Sequence, residues 1–133
     1  MKNKLNSILL IDDDMTVNFI HRHIIETAKV TDSLSIAETA ESALKLLSQK
    51  KPDLILLDLN MPKTNGWEFL VQYKKKILPA NRSRIVILSS SANPDDKHRA
   101  EKSPEVSGFY NKPLTKDALI EIFNETRKSI SNK

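Results

Sequence analysis

The residues equipped for chemistry stand at the ends of short apolar runs. Ile8-Leu-Leu-Ile11 runs into Asp12-Asp13-Asp14, Asp53-Leu-Ile-Leu-Leu57 into Asp58, and Ile85-Val-Ile-Leu88 into Ser89. A weaker run, Ser107 to Asn111, leads into Lys112-Pro113. Runs of this kind read as strands buried on both faces, and in open parallel sheets ligands sit at the carboxyl ends of the strands. Brought to one rim, Asp12, Asp13 and Asp58 would repel and raise one another's pKa unless a cation compensates. Mg²⁺ is the natural compensation, since it takes oxygen ligands, keeps waters and needs only one or two carboxylates plus phosphate oxygens. No His or Cys stands at these strand ends. Lys112 then reads as a fixed positive charge facing the same rim. The plainer alternative is a salt bridge from Lys112 to Asp58 or Asp13 with no chemistry. Asp14 fits a different role, a cap on a helix that begins at Met15.

Helical segments alternate with the strands that carry these residues. Val17, Ile20, Ile24 and Ala28 recur at three- and four-residue steps and define one apolar helix face. Ser33 to Ala37 reads as a second strand, and Thr39 caps a helix with Ala40, Ala43, Leu44 and Leu47 on its core face. A loop from Leu59 to Gly66 precedes a helix marked by Trp67, Leu70, Tyr73 and Ile77. Asn93-Pro94-Asp95-Asp96 opens the next: Asn as cap, Pro at the first helical position, acids at the positive end of the dipole. Pro104 closes it. Thr115 caps a last helix carrying Ala118, Leu119, Ile122 and Phe123, and from about Arg127 the chain reads as a polar, frayed tail. Five strand–helix units with short connections predict an α/β fold, a five-stranded parallel sheet with helices on both faces.

The bulk numbers exclude several classes. At 133 residues the chain is one domain's worth, with ordinary apolar content for a globular protein. It has no cysteine, which removes disulfides and thiolate metal sites. Apolar runs such as Ile8–Ile11 fall far short of the roughly 20 residues that span a bilayer. Met1-Lys-Asn-Lys lacks the apolar stretch of a secretory signal, so a cytoplasmic setting with no membrane contact is expected. The net charge of +4 comes from dispersed lysines with few aromatics and no helix-turn-helix or zinc-finger pattern, which reads as a solvated surface and not a nucleic-acid interface. Gly66 and Gly108 are the only glycines, which leaves no Gly-rich phosphate loop.

Taken together, Ile8-Leu-Leu-Ile-Asp12-Asp13-Asp14, Asp53-Leu-Ile-Leu-Leu-Asp58-Leu-Asn60-Met61-Pro62 with Gly66, Ile87-Leu-Ser89-Ser90 and Phe109-Tyr-Asn-Lys112-Pro113 closely resemble the receiver domain of two-component response regulators, the CheY-like superfamily. The resemblance covers about residues 5 to 127, leaving 128–133 as a polar C-terminal tail. It implies a (βα)5 flavodoxin-like fold in which Asp58 is the phosphoryl acceptor, attacking a phosphohistidine on a histidine kinase or histidine phosphotransfer protein. It further implies Asp13, Asp58 and the main-chain carbonyl of Asn60 as Mg²⁺ ligands, Asp12 acting through a metal-bound water, and Lys112 and the Ser89 hydroxyl on the phosphoryl oxygens. A cis Lys112-Pro113 peptide is implied as well. Switching in the family moves the hydroxyl inward and rotates an aromatic side chain into the vacated space, here Ser89 and Phe109. Read plainly, Phe109 is a core residue. The responsive surface would be residues 93 to 127.

Gly66 is expected to supply a backbone angle costly for other residues, or else to be an ordinary loop glycine. Ser103-Pro-Glu-Val-Ser107 departs from the small Gly-Ala pair common in the family, which puts the length of the fourth helix in question. Asn60 and Ser90 occupy positions that tune acyl-phosphate lifetime in the family. His21 and His23 lie two apart on a helix, a poor metal pair, and read with His98 as surface residues away from the acidic rim. Trp67 reads as packing. A haloacid-dehalogenase-type phosphatase also uses an Asp nucleophile on an α/β sheet, but it needs a second Asp where this chain has Asn60. A degenerate receiver acting as a constitutive binding module is a third reading, opposed by the presence of all five key side chains. The leading expectation is a stand-alone switch whose output is a phosphorylation-dependent contact with an unidentified downstream protein. Homodimerisation through the last helices stays open.

Overall fold

A computed structural model describes residues 4–61, 65–77, 82–90 and 93–131. Pro62 of the Met-Pro step, Ser91, and the last two residues of the expected tail lie outside the described residues. The elements alternate in chain order: β1 (Ile8–Ile11), α1 (Met15–Ala28), β2 (Leu34–Ala37), α2 (Ala40–Leu47), β3 (Leu54–Asp58), α3 (Gly66–Lys76), β4 (Arg84–Ser89), α4 (Pro94–Glu101), β5 (Val106–Asn111) and α5 (Lys116–Ser131). All strand pairs are parallel, in the order β2-β1-β3-β4-β5. This is the flavodoxin-like receiver fold that the alternating pattern predicted.

Successive strand residues point to opposite faces, so each apolar run feeds two cores. Leu9, Ile11, Ile55, Leu57, Ile85 and Ile87 face one layer, packed on Ala43 and Leu47 of α2 and on Phe69, Leu70 and Tyr73 of α3. Ile8, Leu10, Leu54, Leu56, Val86 and Leu88 face the other, against Ile25 of α1 and Leu119 and Ile122 of α5. The chain order reverses between β1 and β3, where the register pairs Ile11 with Leu57. Asp12 therefore leaves β1 beside Asp58 at the end of β3. On the other flank Asp58 pairs with Leu88 and Ser89 with Asn111, so Lys112 emerges at the same rim.

Three local expectations need correction. The fully buried face of α1 is Asn18, His21 and Ile25, about one residue round the helix from the predicted stripe, of which Ile24 and Ala28 pack against the core at its edge; Ile20 is exposed and Phe19 is 75 % exposed. The first half of α1 lies over polar strand ends, where Asn18 and His21 make hydrogen bonds, and an apolar pattern cannot register that. Helix α5 continues to Ser131 where a frayed tail was expected after Arg127. Its Thr126 is fully buried, with Oγ1 donating to the Ile122 carbonyl at 2.7 Å. Gly66 has no positive φ. Its requirement is space: a Cβ there would lie 2.8 Å from Leu59 Cα and 2.9 Å from the Asp58 carbonyl oxygen. Its own N–H donates to the Leu59 carbonyl at 2.9 Å, drawing the start of α3 tightly under the end of β3.

Helix α4 is short, eight residues, capped by the Asn93 side chain with Pro94 in the first turn and only Ala100 buried. Trp67 helps to hold it: its indole Nε1 donates to Asp96 Oδ1 at 3.3 Å, and the Arg99 guanidinium stacks 4.4 Å from the ring centroid. The packing role expected for Trp67 is what the structure shows.

Candidate functional site

Each site residue leaves a strand at its carboxyl end, which is why side chains 46 and 100 positions apart in sequence meet. Asp12 and Asp58 are 1 % and 3 % exposed, and Asp13 is half-buried at the opening. The Asp12 backbone is pinned on one side by its N–H to the Ala37 carbonyl at 3.0 Å and on the other by its carbonyl, which accepts from Asn18 Nδ2 at 2.8 Å. Its Oδ1 accepts the Asp14 N–H at 3.0 Å. Asp14 turns away as the cap of α1, accepting from Thr16 N and Val17 N at 2.9 and 3.1 Å, as its position predicted.

Lys112 lies between the two buried carboxylates. Its Nζ is 2.6 Å from Asp12 Oδ2 and 3.1 Å from Asp58 Oδ1. The plainer sequence reading named Asp58 or Asp13 as the partner; the bridge includes Asp58, and Asp12 is its second arm. The Asn60 N–H also donates to Asp58 Oδ1, at 3.2 Å. Among the described residues, every hydrogen bond to the Asp58 carboxylate falls on Oδ1, and the Asp13 carboxylate accepts none. One carboxylate oxygen of Asp58 and the carboxylate of Asp13 are thus available to a further ligand.

Electrostatics separate the members of this cluster. Burial, and then repulsion from Asp12, push the Asp58 carboxyl above the usual carboxylate range, against the weaker pull of Lys112 and the Asn60 N–H. For Lys112 burial alone would lower the pKa, but the bond to Asp12 and the attraction of both carboxylates outweigh it and hold the ammonium charged. Asp12, Asp13 and Asp58 each present an oxygen within 4.8 Å of the others, partly solvated only at Asp13. A compact all-oxygen donor set with no His or Cys suits a hard divalent cation, Mg²⁺ or Mn²⁺.

Ser89 is fully buried at the end of β4, and its carbonyl accepts the Lys112 N–H at 2.9 Å. The Lys112-Pro113 peptide is cis, as the resemblance implied. Phe109 lies on β5, half-buried against the core, beside a recess of about 250 Å³ lined by Ala100, Glu101, Val106, Ser107 and Gly108. It stands three residues before Lys112, on the strand that leads into it, and pairs with Ile87, two residues before Ser89.

One group escaped the sequence reading. His21, expected on the surface, is fully buried, and its Nε2 accepts the Leu114 N–H at 3.1 Å. Burial, with the Lys112 charge close by, lowers its pKa against a smaller opposing pull from Asp12. The available signal was spacing: Asn18, His21 and Ile25 fall at i, i+3 and i+7, a helix stripe that mixes polar and apolar residues. His23 and His98 are exposed, as expected.

Known proteins are similar to this chain in sequence and in fold. A family model for the response regulator receiver domain matches residues 8–124. Over 119 residues the chain is 33 % identical to the nitrate/nitrite response regulator protein NarL of Escherichia coli K12, covering 90 % of this chain and 53 % of that protein. A two-component response regulator from Cytophaga hutchinsonii superposes with a TM-score of 0.88 at 35 % identity, covering 94 % of this chain and 98 % of that one. The Mn²⁺-bound form of response regulator Rcp1, a protein of Synechocystis, is similar at 28 % identity with a TM-score of 0.71, covering 92 % of this chain and 90 % of that one. The chain spans about half the length of the curated relatives it matches, 39 % of the probable C4-dicarboxylate response regulator DctR of Bacillus subtilis and 53 % of NarL. No described helix is long and apolar enough to cross a membrane. Receivers accept phosphoryl groups from histidine kinases and act as switches, not as conventional enzymes, and this chain belongs to the response regulator receiver domain family.

Proposed function

We propose that Asp58 is the phosphoryl acceptor of a Mg²⁺-dependent switch. The observation that carries this reading is the Lys112 ammonium, 2.6 Å from Asp12 and 3.1 Å from Asp58 within a three-carboxylate rim. Asp13, Asp58 and the Asn60 carbonyl would hold the metal directly, with Asp12 holding a metal-bound water. The Mn²⁺-bound form of the similar Rcp1 supports a divalent cation here. When bound, such an ion neutralises charge on the phosphoryl oxygens and lets an anionic nucleophile approach an anionic donor.

The chain's own residues supply position. An Asp58 carboxylate oxygen attacks phosphorus; the new O–P bond forms as the N–P bond of the donor phosphohistidine breaks, the bond's electron pair stays on the ring nitrogen, and because the other ring nitrogen carries a proton the imidazole leaves neutral. No proton is taken from Asp58, so an ionised carboxylate is what the step requires. Lys112, already at Asp58, moves its bonds to the equatorial oxygens, and the Ser89 hydroxyl contacts another. Phe109 follows Ser89, and because it has no hydroxyl its inward state rests on packing alone. The output is a protein contact through residues 93 to 127, with a histidine kinase or histidine phosphotransfer protein as the donor.

Incubation with acetyl phosphate and Mg²⁺ should add one base-labile phosphoryl group, seen as a single mass increment. Asp58→Asn should remove it. Equal labelling of that variant would displace Asp58 from the role.

A further inference from the structure

We propose that His21 is a positioning residue for Lys112, and that with Asn18 it makes α1 a clip on both loops of the acidic rim. The inference rests on the reading of Asp58 and Lys112 given above. Lys112 can bridge Asp12 and Asp58 only if the backbone that carries it is held. On the strand side the Lys112 N–H is bound to the Ser89 carbonyl at 2.9 Å. On the other side Pro113 has no N–H, so the next backbone donor is Leu114 N, and it goes to His21 Nε2 at 3.1 Å, across 93 residues of sequence. Both groups are buried, His21 fully and Leu114 at 2 % exposure. One turn earlier on the same helix face, Asn18 Nδ2 holds the Asp12 carbonyl at 2.8 Å. The two partners of the shortest ion pair at the rim are therefore anchored to a single helix.

The cost of this arrangement argues that it serves a purpose beyond packing. Because Nε2 accepts, the neutral ring carries its proton on Nδ1, and that buried nitrogen has no partner among the described residues. The Asn18 Oδ1 is likewise buried and unpartnered. A leucine at position 21 would fill comparable space with no orphaned polar atom, and so would pack more favourably. What leucine cannot supply is an acceptor for the Leu114 N–H in the turn that precedes α5. Removing that acceptor frees the turn that aims Lys112 while leaving the sheet, the carboxylates and the metal donors in place. The expected effect falls on the rate of phosphoryl transfer, and the ability to accept a phosphoryl group persists.

The test compares phosphorylation rates by acetyl phosphate at saturating Mg²⁺ for the wild-type chain, His21→Leu, His21→Gln and His21→Asn. The glutamine side-chain carbonyl reaches where Nε2 lies; the asparagine carbonyl stops near the position of Nδ1. We expect a loss on the order of tenfold in the leucine and asparagine variants and recovery to within about twofold in the glutamine variant, since a tenfold loss corresponds to a small displacement of a charge-stabilising group. A purely structural role would not distinguish glutamine from asparagine. If His21→Leu does not fold, the glutamine–asparagine contrast decides the matter. In wild type, a through-hydrogen-bond coupling between Leu114 ¹⁵N and His21 ¹⁵Nε2 should also be measurable, and its absence would overturn the proposal. So would equal rates in the glutamine and asparagine variants. If the wild-type chain is not labelled at all, the phosphoacceptor reading fails and the coupling alone tests the clip.

Discussion

Replacing Lys112 by methionine is the sharpest probe of the acidic rim, because it removes the charge and keeps much of the volume. The geometry sets the scale. At an effective dielectric of about 20, unit charges 2.6 and 3.1 Å apart attract by roughly 6 and roughly 5 kcal/mol before desolvation. Burying the ammonium offsets most of this, and breaking buried pairs by removing one partner typically leaves a net loss of about 3–5 kcal/mol. We expect a loss in that range for the metal-free variant at pH 7 in urea unfolding. The loss should shrink on acidification. Asp58 already lies above its unfolded-state value of 3.8 because of burial and Asp12. Without Lys112 its native pKa rises further, so the native state takes up a proton before the unfolded chain does. Stability of the variant relative to wild type therefore increases as pH falls from 7 toward the unfolded-state value. Mg²⁺ should also rescue the variant more than wild type, since three carboxylates without an internal cation bind it more tightly and bound ligand stabilises by RT ln(1 + [L]/Kd). A loss below about 1 kcal/mol, the range of exposed ion pairs, or one unchanged in an Asp58→Asn background, would refute a strong bridge between these groups.

Gly66→Ala should destabilise by about 1–3 kcal/mol in urea unfolding, the usual cost of overpacking, because the added Cβ meets backbone atoms of Asp58 and Leu59 that cannot rotate aside. The same variant should label more slowly. Between wild type and His21→Gln, the difference in stability should be flat above pH 6.5 and then turn against wild type as pH falls. Below the unfolded-state value of 6.5 the unfolded imidazole protonates while the buried native ring resists, at a slope of up to about 1.4 kcal/mol per pH unit. Trp67→Phe keeps the ring but loses the Asp96 bond and weakens the Arg99 stack, so amide exchange across α4 should accelerate by about tenfold, for a loss near 1 kcal/mol. Unchanged exchange in α4 would show that Trp67 does not hold it.

The strands and their order of appearance were legible because each is an apolar run closed by a charged residue, and parallel sheets bury both faces of such runs. The caps at Asp14, Thr39 and Asn93 were legible for the same local reason, a side-chain oxygen within reach of the next turn's N–H groups. The end of α5 was not: Lys128, Ser129 and Ile130 read as part of a polar tail, yet they continue the helix beyond the buried Thr126 while staying exposed. The role of Gly66 was only half visible: glycine was required, but for close approach to Leu59 and not for a left-handed backbone.

Asp12, Asp13, Asp58 and Lys112 announced themselves as candidates because strand ends are positions where a side chain's identity is not dictated by packing, so their charges stand out from the apolar runs; the uncharged Ser89 gained its role through the family resemblance. That order in the chain was enough to predict the fold and the rim. Which oxygen Lys112 holds, that Asp12 and not Asp13 is its second partner, and that His21 is buried behind the rim were decided only by the tertiary structure. Those contacts join residues 54, 93 and 100 positions apart, and their geometry depends on strand register and on the rotation of α1. Local periodicity carries no information about either.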